Sequence, residues 1–100
     1  MRVIANLSDQ IDEELNDAEK YINCANKVKD EFPTLSETYF KLAQEEMKHV
    51  NLLHEEVVKI INNVRKEKEV PAGMMTVYEY LHEKHIRKAS EIKFKIDSFK

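Results

Sequence analysis

Helix-breaking residues are nearly absent from this chain, and the few it has fall at two places. Of 100 residues, the single glycine, Gly73, and the two prolines, Pro33 and Pro71, lie within Phe32-Pro33-Thr34 and Val70-Pro71-Ala72-Gly73. Proline removes a backbone donor and clashes with the preceding turn, so these two places divide the chain into three uninterrupted segments. Three long helices are predicted, roughly over 6–31, 35–67 and 74–99. Thr34 followed by Glu37 has the spacing of a capping box for the second helix, and Thr76 followed by Glu79 has it for the third. The expected fold is all-α, in a single domain over residues 1–100. The absence of tryptophan, with 42% hydrophobic and 35% charged residues, fits helices and argues against a β protein or a disordered chain.

The same composition narrows the function. A net charge of -3 and a pI near 5.8 do not suggest a nucleic-acid partner. The basic C-terminal stretch KHIRKASEIKFKIDSFK reads as a solvated helix face whose cations suit the helix C-terminus. Cys24 is the sole cysteine, which excludes an internal disulfide, a thiolate zinc cluster and a rubredoxin-type iron centre. A buried thiol is the expected state of Cys24. No apolar run approaches the roughly 18 residues of a membrane helix, and the N-terminus lacks the apolar region of a signal peptide. A soluble cytoplasmic protein without membrane association is expected, and nothing suggests an organic cofactor.

Heptad-like rows give the helices their inward faces. The first segment carries Ile4, Leu7, Ile11, Glu14, Ala18, Tyr21, Ala25, Val28 and Phe32, interrupted by one charge, Glu14. The second carries two adjacent rows, as a helix touching two neighbours requires. One runs through Phe40, Ala43, Met47, Val50, His54, Val57, Ile61 and Val64; the other runs through Tyr39, Leu42, Glu46, His49, Leu53, Glu56 and Ile60. The third segment has Met75, Tyr78, His82, His85, Ala89, Ile92, Ile96 and Phe99. Side chains able to hold a metal ion interrupt every segment.

Glu46 and His49 are the most informative of these. Residues three apart on a helix project side by side, so a carboxylate oxygen and an imidazole nitrogen can reach one ion. Helical rise places Glu14 about 26 Å from the end of the first helix, and Glu46 and His49 roughly 17 and 21 Å into the second. Allowing for the loop, the three residues fall within about one turn of one another.

The order of a Glu, a long helix, a short turn and then Glu-x-x-His resembles the first half of the ferritin-like di-iron proteins, most closely the rubrerythrin type. The stretch EELNDAEKYINCANKVK resembles the first rubrerythrin helix, and LAQEEMKH resembles the second. The likeness covers roughly residues 14–54 and extends to short ferritin-like proteins of phage and prophage genomes. It implies an antiparallel four-helix bundle, a carboxylate-bridged pair of iron or manganese ions, and oxidation of ferrous iron or reduction of peroxide. By the same resemblance Glu14 and Glu46 are metal ligands, with Glu46 bridging, and His49 supplies nitrogen. Tyr21 falls at a position that would hydrogen-bond near the site or serve as a core aromatic.

A full di-iron site of this kind needs one Glu from each of two helices and Glu-x-x-His from each of the other two. This chain has half of that in its first two helices. The third helix offers Glu79-x-x-His82 and His85, but helical rise sets these histidines about 12 and 16 Å from the second turn, against roughly 26 Å for His49. They fall nearer His54. A homodimer, or a higher homo-oligomer, in which two copies of Glu14, Glu46 and His49 meet is the simpler completion, as at the interface of encapsulated ferritins. His54, His82, His85 and Glu79 are secondary candidates for a separate histidine-rich site, with zinc as one occupant. The competing function is a metal-free helical adaptor or inhibitor of the phage type, which acts by binding a protein partner.

Overall fold

The computed structural model describes residues 2–67 and 72–99, and it is all-α. Its helices are α1 (Arg2–Val28), α2 (Pro33–Glu67) and α3 (Ala72–Asp97). At about 1.5 Å per residue, the 35-residue α2 is about 52 Å long. It therefore sets the long dimension of the backbone, which extends 56 × 18 × 17 Å. None of the helices is long and apolar enough to cross a membrane.

The helix ends differ from those expected at the first break. α1 stops at Val28, and Phe32 N–H donates to Val28 O at 2.8 Å across the turn. Pro33 is the first helical residue of α2, a position where its missing donor costs nothing and its fixed φ already suits the helix. Ser36 N–H closes the first turn onto Phe32 O at 2.9 Å. Thr34 is thus inside the helix, where its carbonyl accepts from Thr38 Oγ1 at 3.2 Å, and the Thr34–Glu37 capping box does not form. Thr76 likewise lies inside α3, which begins at Ala72. Val70 and Pro71, the other half of the second break, lie outside the described residues.

The core is one cluster: Ile11, Leu15, Ala18, Ile22 and Ala25 from α1, Ala43 and Val50 from α2, and Ile92 and Ile96 from α3. Three of these are fully buried alanines, Ala18, Ala25 and Ala43, whose small side chains allow α1 and α2 to approach closely. A buried bond ties the two helices beside their turn, with Ser36 Oγ donating to Ala25 O at 2.6 Å. The expected inward row of α2 is correct in place, with Ala43 and Val50 buried and Phe40, Met47, His54, Val57, Ile61 and Val64 half-buried.

On α1 the row is shifted. The buried residues are Ile4, Ser8, Ile11, Leu15, Ala18, Ile22 and Ala25. Every seventh position agrees with the expected row, but Leu15 and Ile22 take the centre of the seam, and Glu14 and Tyr21 stand half-buried beside it. The two phasings differ by one residue. The one observed buries two aliphatic side chains and leaves a carboxylate with access to water, avoiding the cost of desolvating it. Phe32, the last residue of the expected row, is exposed. Cys24 is half-buried and free.

Cross-helix contacts fix which parts meet. As residue numbers rise along α1, the partners on α2 fall, from Glu14 with His49 to Tyr21 with Tyr39 to Ala25 with Ser36. Partners on α3 rise instead, from Asp12 with His85 to Glu19 with Lys88 and Lys95. Between α2 and α3 the rings of His54 and His82 stack with centroids 4.8 Å apart, and just past the end of α3 the ring of Phe99 stacks on Phe40 at 4.7 Å.

Candidate metal centre

Glu14 approaches from α1, and Glu46 and His49 approach from α2, three residues apart on one face. One ligand atom from each lies within 4.8 Å of the others. His49 Nδ1 is 3.3 Å from Glu14 Oε2 and 3.7 Å from Glu46 Oε1. Ligand atoms bound to one ion at about 2.1 Å stand roughly 3.0–3.4 Å apart in octahedral or tetrahedral geometry. The 3.3 Å separation falls in that range and the 3.7 Å one just outside it. Among the described residues this is the one group of at least three such side chains that meets the distance condition.

The site is deep on one side and open on the other. The Glu46 side chain is 16% exposed, Glu14 28% and His49 49%, so the imidazole forms the outer lip. The carboxyl of Glu46 is pushed up to about 7, first by its hydrogen bond to Glu14, then by burial and by the Glu14 charge; His49 acts in the opposite sense. The nearby Glu14 carboxylate and burial both favour a proton on Glu46. A divalent ion can replace that proton and relieve the repulsion, and two carboxylates with one imidazole form a donor set suited to iron, manganese or zinc.

Helical geometry also determines which side of the molecule the group faces. Asp12, Glu19 and Asn23, which bond to α3, lie on one flank of the α1 seam. Glu14 lies on the other flank, with Leu7, Tyr21 and Val28, since residues of a helix advance by about 100° each. The facing row of α2 is the second one expected there, with Tyr39, Glu46, Leu53 and Ile60 half-buried and Leu42, His49 and Glu56 exposed. The centre therefore occupies a half-buried stripe turned away from α3.

The secondary candidates do not join it. His85, 7% exposed, has Nε2 2.9 Å from Asp12 Oδ1. His54 and His82 stack on each other, and burial, followed by the nearby His82 and His85, lowers the pKa of His54. Glu79 is exposed and lines the same cavity as the three histidines. Tyr21 stacks on Tyr39 with ring centroids 6.2 Å apart, the role of a packing aromatic. Asp12, the partner of a buried histidine, and Glu19, the partner of two lysines, were not marked by any local spacing; each meets a residue about seventy positions away. No family model, curated protein or solved structure matches this chain.

Proposed function

We propose that this is a ferritin-like metal-binding protein, an antiparallel half-bundle in which Glu14, Glu46 and His49 hold iron or manganese. The observation that carries the reading is the convergence of their three ligand atoms within 4.8 Å on a stripe facing away from α3. That placement also supports completion by a second copy, because α3 lies on the wrong side of α1 to add ligands. Pairing two such stripes brings together four carboxylates and two imidazoles, the number a di-iron or di-manganese site requires. The half-exposed His49 and the apolar residues beside it, Leu42 and Leu53, suit burial in such an interface.

Iron held there would supply one-electron chemistry toward oxygen or peroxide, and a ferroxidase or peroxidase activity follows from that chemistry. The chain's own contribution is ligand geometry, with Glu46 delivering a proton to solvent as the cation enters. Elemental analysis of purified protein, together with its mass in solution, tests the reading. One ion per chain in a dimer is expected, with Glu46→Ala and His49→Ala each removing it. Stoichiometric metal in the double variant would contradict the assignment.

A metal-free adaptor or inhibitor is the second reading, favoured by exposed apolar side chains such as Leu52, at 62%, and Phe94, at 72%. In that case Glu14, Glu46 and His49 form a hydrogen-bonded cluster that fixes the register of α1 on α2. An unchanged melting temperature after chelation, with no metal in the purified protein, would favour it.

A further inference from the structure

A cavity of about 220 Å³ lies between α1, α2 and α3, away from the carboxylate cluster. Most of its surface is apolar, with Ile4, Ile11, Val57 and Ile61 on the wall, and polar Ser8, Asn62 and His85 also reach it. It opens to solvent past Asn62, Arg65 and Glu79, and its volume exceeds the roughly 150 Å³ of an enclosed apolar cavity that accepts benzene, so it has room for a substituted ring. Tyr78, on the cavity wall, is 8% exposed, and its hydroxyl is buried without a hydrogen-bond partner among the described residues. Buried tyrosines ordinarily satisfy that group, so an unpartnered one at a cavity marks a place for a ligand atom. A wall side chain must change rotamer for the ligand to reach it, and Met75, also on the wall, is the most adaptable type present.

The other polar groups narrow the ligand. His54 and His82, both on the wall, stack with 22° between their planes and offer a flat surface to a ring. Arg65 and Glu79 line the same cavity with opposite charges, which favours neither an anion nor a cation. Among the described residues, the histidines on this wall do not bring three ligand atoms within 4.8 Å of one another.

We propose that this cavity binds a small uncharged aromatic molecule of the phenol class, its ring among the aliphatic side chains and its oxygen paired with the Tyr78 hydroxyl. The proposal is independent of the metal reading, since no residue is shared. Titration of the full chain with phenol, followed by amide chemical shifts, should show saturable changes around the cavity with Kd of about 1 mM or tighter, as a seven-atom ligand permits. Tyr78→Phe keeps the ring and removes the hydroxyl, and it should weaken phenol about fivefold while leaving toluene unchanged. Val57→Trp should fill the space and abolish both. Absence of saturation up to about 10 mM phenol, a weaker limit than the cavity's size implies, would overturn the proposal. Equal phenol affinity in wild type and Tyr78→Phe would overturn it as well.

Discussion

The two flanks of α1 carry the same kind of residue in opposite electrostatic situations. Toward α3, Glu19 meets Lys88 at 2.7 Å and Lys95 at 3.2 Å, and the hydrogen bond from Lys88 is the first cause holding its carboxyl below the usual value. Away from α3, Glu14 meets Glu46, and the Glu46 carboxyl is pushed up to about 7. One flank pairs its carboxylate with lysines; the other sets carboxylates beside each other and an imidazole. Acidic residues on a bundle helix thus have no fixed meaning: a carboxylate with a lysine across the seam ties helices together, whereas one facing another carboxylate and an imidazole is, on the proposed reading, a place for an ion. It also explains the basic C-terminal segment, two of whose cations serve Glu19.

The largest expected effect is on metal affinity. His49→Ala or Glu46→Ala should lower manganese affinity by about 100-fold or more, read by calorimetric titration, because each removes a direct ligand and effects of 10- to 100-fold already follow loss of outer partners. Glu19→Gln should leave that affinity unchanged. Equal losses in both would erase the distinction between the flanks.

Next in size is the response to pH. A proton on Glu46 competes with the ion, so manganese affinity should fall about tenfold per unit as pH drops below about 7. A shallower profile in Glu46→Gln than in the wild type, measured the same way, would assign that part of the effect to this residue, the remainder falling to the His49 imidazole.

Stability should separate the flanks by sign. Glu19 has a folded pKa below the ordinary carboxylate value of 4.5, so its contribution is present above 4.5 and is lost as pH falls through the lower folded value. Metal-free protein carries the opposite dependence at Glu46. Its folded pKa lies near 7, above the 4.5 of the unfolded chain, so stability is greatest below 4.5 and declines as pH rises through that window. At pH 8 in chelator, Glu46→Gln should raise stability and Glu19→Gln should lower it, each by about 1 kcal/mol. Urea unfolding checks both.

The smallest effect is that of salt. Glu19 and Lys95 are partly exposed, so raising ionic strength should weaken the α3 flank by a few tenths of a kcal/mol in the urea midpoint. Manganese-loaded protein should lose no more than that.

Much of this was legible in the sequence, for reasons that differ by feature. The three helices follow from where Pro33, Pro71 and Gly73 fall, and the meeting of Glu14 with Glu46 and His49 follows from helical rise and an i, i+3 spacing. The seam of α1 was misphased by one residue because Glu14 and Leu15 both fit an alternating three-four pattern. Only the cost of desolvating a carboxylate decides between them. The cap of α2 was displaced because Pro33 itself enters the first turn. The role of His85 was hidden for another reason: its partner, Asp12, is 73 positions away, and no local pattern encodes that distance. The hydroxyl of Tyr78 was invisible as well, since the row on α3 places the ring inward without saying what lies beyond it.

The most direct test of the central claim is native mass spectrometry of the protein as purified and after manganese is added, since one mass counts chains and ions together. The account predicts two chains carrying two ions, reverting to ion-free species in His49→Ala. A single chain that stays metal-free at saturating manganese, or a dimer whose two ions persist in Glu46→Ala and His49→Ala, would contradict it.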